Sequence, residues 1–148
     1  MIAPILVATH DAPHADRVLE RAAGLAVAVG AELHAVCVVA PMEINAAVGD
    51  AGAVVIAGME HEMEAHSKTA LDRARAVGER HGLDVVAHLE HGEPAATIVN
   101  VADDIGADMI VLGSTGLDAA GRYVLGSVPE RVLFDAHGHD LHVVRTTT

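Results

Sequence analysis

The residues best placed to do chemistry lie after the fourth apolar run of this 148-residue chain. Gly113-Ser114-Thr115-Gly116 is followed, nine residues on, by Gly126-Ser127, so the spacing is Gly-x2-Gly-x9-Gly-Ser. Glycines let a backbone approach a ligand closely, and the unpaired N–H groups of a helix start favour an anion. The chemistry that suits this pattern is phosphate binding. Ser127-Val128-Pro129-Glu130 reads as a capping box, which makes Ser127 both an N-cap and a candidate phosphate ligand. Arg122, between the glycine pairs, would add positive charge. An ordinary glycine-rich β-to-α loop would look similar, but the spacing arises by chance on the order of 1% of the time, and its place between strand and helix favours the functional reading. It is not a Walker loop, because no Lys follows the glycines. After the first apolar run Thr9-His10-Asp11-Ala12-Pro13 stands where a GxGxxG dinucleotide fingerprint would.

The 11 His raise the question of a metal. His61 and His66 are five apart, which at ~100° per residue sets their rings about 140° apart on a helix, too far for one ion. His137, His139 and His142 read as a solvated tail, and His88 and His91 fall on opposite faces of a regular strand. His10, Asp11 and His14 are the one group close to the glycine element, with Asp11 the candidate ligand for a divalent ion such as Mg²⁺ beside phosphates. Cys37, the single Cys, lies in the apolar run Val36-Cys37-Val38-Val39 and reads as a small buried hydrophobe. Nothing in the pattern sets a base beside a nucleophile, so no catalytic residue is assigned.

These residues must be held by something, and the pattern says what. Ile5 to Ala8, Leu33 to Val39, Val85 to Leu89, Met109 to Leu112 and Leu141 to Val144 are aliphatic runs without polar alternation, the habit of strands covered on both faces. Between them lie helical stripes. The first, Ala15 to Val29, repeats Val18, Leu19, Ala22, Leu25, Ala26 and Val29 and ends at Gly30. The second runs from about Met59 to His81 with Gly82 after it, the third from Pro94 to Gly106, and the fourth opens at Ser127. Pro41 to Gly58 reads equally as a loop or as an early start to the second helix. The order is β-α-β-α-β-α-β-α-β, which predicts an α/β fold: one domain over residues 1–148, a doubly wound five-stranded parallel sheet with helices on both faces. With strand order 3-2-1-4-5, the loops after strands one and four meet at the carboxyl edge, bringing Thr9, His10 and Asp11 close to Gly113–Gly116.

Composition excludes several function classes. Nine basic residues against 21 acidic give a net charge of −12, and Lys68 is the single Lys, which leaves no basic footprint for nucleic acid or anionic membrane. Such an acid excess also suits a high-salt cytoplasm. Hydrophobic residues make up 51%, enough for a core, but only Tyr123 and Phe134 are aromatic. One Cys rules out an internal disulfide framework. No apolar stretch reaches the ~20 residues of a membrane span, and Met1-Ile2-Ala3-Pro4 has no basic leader character. The expectation is a soluble cytoplasmic protein.

With these residues in view, the chain resembles the universal stress protein family over essentially its whole length. The resemblance is carried by Ile5-Leu6-Val7-Ala8-Thr9, Ala31-Glu32-Leu33-His34-Ala35, the Gly92-Glu93-Pro94 turn, Ala107 through Gly113, and the intact glycine element, which marks the family's ATP-binding branch. It implies a fold like that of the adenine nucleotide α-hydrolases and a site for ATP, ADP or AMP. By resemblance, Gly113 and Gly116 line the ribose and phosphates, and Gly126, Ser127 and Val128 hold the phosphate tail. Val38 covers the adenine, while Thr9 and its neighbour edge the nucleotide. There are departures. Relatives carry Asp directly after Thr9, where it contacts nucleotide or metal; this chain has His10, with Asp11 one step later. Ala12 replaces the Ser that caps the first helix, leaving Asp11 as candidate N-cap. Ala40 and Asp140 replace a frequent Asp and Pro. The cradle is complete, and the departures bear on the metal ligand and the base-side hydrogen bonds. They point to weak ATP binding or a preference for AMP.

The leading expectation is a nucleotide-binding regulatory protein of the stress response, with at most slow ATP hydrolysis and a protein partner the sequence does not name. The alternative is a dimeric interaction module with the same fold and no nucleotide. Efficient phosphoryl transfer would want a cationic clamp, a metal carboxylate and a positioned nucleophile, against which the chain offers Arg122 and Asp11, so binding outranks catalysis. The resemblance further implies a homodimer. Leu141 to Val144 supplies an apolar sheet edge that pairing across a two-fold axis would cover.

Overall fold

The computed structural model describes residues 3–41, 49–114 and 126–146. Five strands alternate with four helices: β1 (Ile5–Ala8), α1 (Ala15–Val29), β2 (Leu33–Val39), α2 (Gly49–Arg80), β3 (Val86–His91), α3 (Pro94–Ile105), β4 (Met109–Ser114), α4 (Ser127–Asp135) and β5 (Asp140–Arg145). The sheet is parallel throughout, in the order β3-β2-β1-β4-β5. Ile5 pairs with Leu33 on one side and Met109 on the other, so β1 is the central strand and the order reverses beside it.

Alternation along each strand divides the core in two. Val7, Leu33, Ala35, Cys37 and Val111 face α1 and α2, where Leu19, Ala70, Leu71 and Val77 close the packing. Leu6, Val36, Ile110 and Leu112 face the opposite way, against Ile98, Val101 and Val132 of α3 and α4. With no Trp and two other aromatic residues in the chain, small side chains do this work; Ala22, Ala23, Ala26, Ala35, Ala95 and Ala102 are fully buried. Close helix-to-sheet approach is what an Ala-rich interface permits.

Local signals explain the helix boundaries. Gly30 and Gly106 both adopt positive φ, 71° and 67°, and their N–H groups return to carbonyls of the preceding turn, which closes α1 and α3. At the start of α3, Glu93 accepts from the amides of Ala95 at 3.2 Å and Ala96 at 2.7 Å, and Pro94 takes the first helical position. These bonds hold the Glu93 carboxyl below its usual range, that from Ala96 contributing most.

The structure departs from the sequence reading in several places. α2 begins at Gly49, ten residues ahead of Met59, so the helical reading holds for 49–58, while 42–48 lie outside the described residues. That early part carries Val54, Val55 and Met59 exposed, so no buried stripe marked it in sequence. β3 starts one residue later and ends two later, at Val86–His91, β4 continues to Ser114, and β5 takes in Asp140 and Arg145. The capping box at α4 does not form: Gly126 is the N-cap with φ −65° and ψ 163°, no side chain caps the helix, and Ser127 is the first helical residue. Nor does Asp11 cap α1. His14 occupies that position with helical dihedrals and no side-chain cap bond, because the carboxylate of Asp11 is engaged elsewhere.

Candidate functional site

A cavity of about 230 Å³ opens at the carboxyl edge of the sheet, where the strand order reverses beside β1. This is the crevice in which doubly wound folds hold ligands. Ala8 at the end of β1, Val36 and Val38 of β2, and Leu112 and Gly113 of β4 form its floor. Pro94 and Ile98 of α3 and Val128 and Pro129 of α4 make one wall; Thr9, His10, His14, Ala15 and Val18 make the other. The floor and the α3–α4 wall are apolar and suit a flat, weakly polar group.

The α1 wall is different. Thr9 is buried, 7% exposed, and its backbone N–H donates to the Val36 carbonyl at 2.9 Å. Among the described residues its Oγ1 has no partner, and neither does the buried Nε2 of His14. The His10 and His14 rings meet edge to face, with centroids 5.5 Å apart. Burial, with the neighbouring His14, holds the His10 imidazole below the ordinary histidine range, and Asp11 opposes both.

Asp11 turns away from this cavity. Its Oδ2 accepts from His66 Nδ1 at 2.8 Å, and its Oδ1 from Arg73 at 3.4 Å, both on α2. Arg73 also donates to the Ala12 carbonyl at 3.4 Å and pairs with Asp16 at 2.8 Å. The hydrogen bond from His66 is the chief cause that lowers the Asp11 carboxyl below its usual range. Asp11 therefore lines the adjoining cleft, with Cys37, Met63, His66 and Ser67, and the cavity lining holds no carboxylate among the described residues. A divalent cation such as Mg²⁺ wants oxygen ligands of that kind, and the described residues lining the cavity do not fit one.

Of the ten residues singled out in sequence, Thr9, His10, Val38, Gly113 and Val128 line the cavity together. Gly126 is the N-cap of α4 and Ser127 its first residue, directly before the lining residues Val128 and Pro129. Gly116 and Arg122 lie outside the described residues. Gly113 has a packing reason of its own. A Cβ there would sit 2.8 Å from Cγ2 of Thr146 and 3.0 Å from Cγ2 of Val18, so helix and strand close over it. The wall residues His14, Pro94, Ile98 and Pro129 were not assigned to the cradle from sequence, although Pro94 and Ile98, one turn apart at a helix start, were legible as one face.

The remaining histidines serve other contacts. His34 and His88 stack across β2 and β3, Nδ1 to Nε2 at 2.8 Å, and His34 Nε2 meets Glu32 at 2.5 Å. His61 and His91 line a separate cleft beside α2. His139 is no solvated tail residue: its side chain is 7% exposed, Nδ1 donates to the Ala107 carbonyl and Nε2 to Asp103, both at 2.6 Å. Among the described residues no cluster of three or more His, Cys, Asp and Glu could hold a metal ion, and no helix is long and apolar enough to cross a membrane.

Comparison with known proteins matches the profile of the universal stress protein family to residues 1–145. A universal stress protein of Methanocaldococcus jannaschii is 36% identical over 75 residues, 51% of this chain and 44% of that protein. The chain spans less than half the length of the curated relatives it matches first. Among solved structures, the UspA protein of Lactobacillus plantarum superposes with a TM-score of 0.80 at 26% identity, covering 97% of both chains. Two further universal stress proteins were solved with nucleotides. One, in complex with cAMP, has a TM-score of 0.65 at 27% identity and covers 99% of this chain and 98% of that one. The other, from Archaeoglobus fulgidus in complex with dAMP, has a TM-score of 0.66 at 25% identity and covers 97% and 98%.

Proposed function

The chain belongs to the universal stress protein family, and from that premise we propose that its cavity binds an adenine nucleotide and that it acts as a nucleotide-dependent regulatory protein of the stress response. The observation that carries the reading is the cavity itself: an apolar floor at the strand-order reversal, open toward the start of α4. Val36, Val38, Leu112 and Ile98 would take the adenine between β2, β4 and α3. Phosphates would run toward α4. Helix geometry leaves first-turn amides unpaired, and because Pro129 has none, the Ser127 and Val128 N–H groups are the donors on offer. Two neighbouring N–H groups at a positive helix end match two oxygens of one phosphate. Gly116 and Arg122, by resemblance, would close over the same groups.

Binding outranks turnover in this reading. Among the described residues the cavity offers no carboxylate and no Lys or Arg, so ATP would be hydrolysed slowly at most. In a regulatory role the bound state would alter a partner surface, which requires different affinities for the two forms. A homodimer through β5 belongs to the same proposal. That strand is the sheet edge, and Val143 on it is 40% exposed.

The test is calorimetric titration of the nucleotide-stripped chain with ATP, ADP, AMP and adenosine, alongside Gly126→Val. One nucleotide per chain in the parent and at least a tenfold loss in the variant are expected, since side-chain bulk at the N-cap blocks phosphate approach. Gly126 has dihedrals that any residue adopts, so the backbone takes a side chain there without strain. No heat at millimolar concentrations, with no thermal shift, would favour the interaction module without nucleotide.

A further inference from the structure

The α1 wall of the cavity holds more donor capacity than the fold uses. Thr9 Oγ1 and His14 Nε2 are the buried side-chain atoms left without a hydrogen bond among the described residues, and both residues line the cavity. Such atoms are costly when nothing satisfies them, so two on one wall mark where a polar group of a ligand belongs. His10 stands beside them, 5.5 Å from His14 between ring centroids. A hydroxyl and two imidazoles can all donate, and protonated imidazoles also carry charge. The carboxylate that could have balanced them, Asp11, is held on α2 by His66 and Arg73.

We propose that Thr9, His10 and His14 form an anion subsite that takes the phosphoryl group next to the ribose in its metal-free form, the further phosphates of ADP or ATP running on to α4, and that capture strengthens as the pH falls toward the imidazole range. This rests on the nucleotide reading of the same cavity and specifies its ligand and its regulation. Donors suit a bare phosphoryl oxygen and repel a phosphate-bound divalent cation, which seeks oxygen acceptors. Among the described residues, the groups facing the imidazoles come from the following elements. Asp11 shares their loop, with His66 and Arg73 of α2 behind it. The lining from β2, β4, α3 and α4 is Val36, Val38, Leu112, Gly113, Pro94, Ile98, Val128 and Pro129, all uncharged. Cys37 in the adjoining cleft is kept neutral by burial, which raises its thiol.

The sign follows from linkage. His10 is depressed in the free protein by burial and by His14, and a bound anion favours its charged form. Binding therefore takes up a proton, and affinity rises as pH falls, by up to about tenfold per unit for each proton taken up. The useful window is from about pH 8 down to about pH 6.5, above the second ionisation of phosphate near 6.

The experiment titrates the nucleotide-stripped full chain with AMP and, separately, with adenosine across that window, in EDTA and in Mg²⁺. AMP is expected to tighten roughly three- to tenfold toward the lower pH, adenosine to stay level, and Mg²⁺ to give no gain. His10→Gln keeps a donor on the loop without the imidazole's titration, so it should retain AMP binding at the high end and flatten the pH rise. Thr9→Val removes the unpaired hydroxyl at constant shape. It should raise the melting temperature of the free chain while weakening AMP and not adenosine, a pair of effects that a merely structural Thr9 would not give. AMP and adenosine binding equally at every pH, or AMP gaining tenfold from Mg²⁺, overturns this subsite and leaves the nucleotide reading standing. If neither ligand binds, both fall.

Discussion

Gly113 separates two roles that its position in the glycine element merges. Adding one methyl group, Gly113→Ala, sets a Cβ 2.8 Å from Thr146 Cγ2 and 3.0 Å from Val18 Cγ2, against an ordinary contact of 3.4–4 Å. Relief requires a shift of about half an ångström on both sides at once. Val18 is 4% exposed on α1 and has little room, while Thr146 is tied to β4 by its hydroxyl on the Ser114 carbonyl and its N–H on Ser114 Oγ. Overpacking of this kind costs about 1–3 kcal/mol. For a chain of this length each 1 kcal/mol lowers the melting temperature by roughly 2–4 °C. Gly113→Ala should therefore melt about 2–12 °C below the parent, read by circular dichroism without ligand. Thr146→Ser deletes the offending methyl and keeps the hydroxyl bond, so in the double variant it should recover about half of the loss beyond its own effect. A Gly113→Ala chain melting within a degree of the parent would refute the packing reasoning, as would a loss that Thr146→Ser leaves untouched. Either result would return Gly113 to a role in ligand approach alone.

Two further outcomes follow from contacts outside the cavity. Both His139 nitrogens face acceptors, and the hydrogen bond to Asp103 is the chief cause that raises its pKa. Its folded value thus lies above the unfolded one near 6.5, so its stabilisation is full below that pH and is lost as pH rises through the raised value. His139→Gln should cost about 1 kcal/mol near pH 6 and progressively less toward pH 9, by denaturant melts; a constant difference would refute the charged form. If the proposed β5 homodimer forms, Val143→Lys should convert it into monomers in sedimentation, because Val143 is 40% exposed on the sheet edge; an unchanged mass would remove β5 from the interface.

The sequence by itself determined the architecture. Five unalternating aliphatic runs, each followed or preceded by a stripe at helical spacing, admit few arrangements other than a parallel sheet covered on both faces. Gly30, Gly106 and the Glu93-Pro94 pair fixed helix ends because their signals are local and depend only on neighbours along the chain. The strand-order reversal then placed Thr9, His10 and Val38 beside Gly113 at one edge. Tertiary structure alone decided which way side chains turned. Asp11 reads in sequence as a cap or a metal ligand, but α2 brings His66 and Arg73 to it, residues 55 and 62 positions away, and two donors on one carboxylate outweigh a cap bond. His139 looks like part of a solvated tail until Asp103 and Ala107 of α3 and its exit loop close around it. Gly113 needs its missing side chain for partners 95 positions before it and 33 after it, Val18 and Thr146. Periodicity and capping are carried by neighbours in the chain, whereas the charge and contacts of a site are set by residues that only folding brings together.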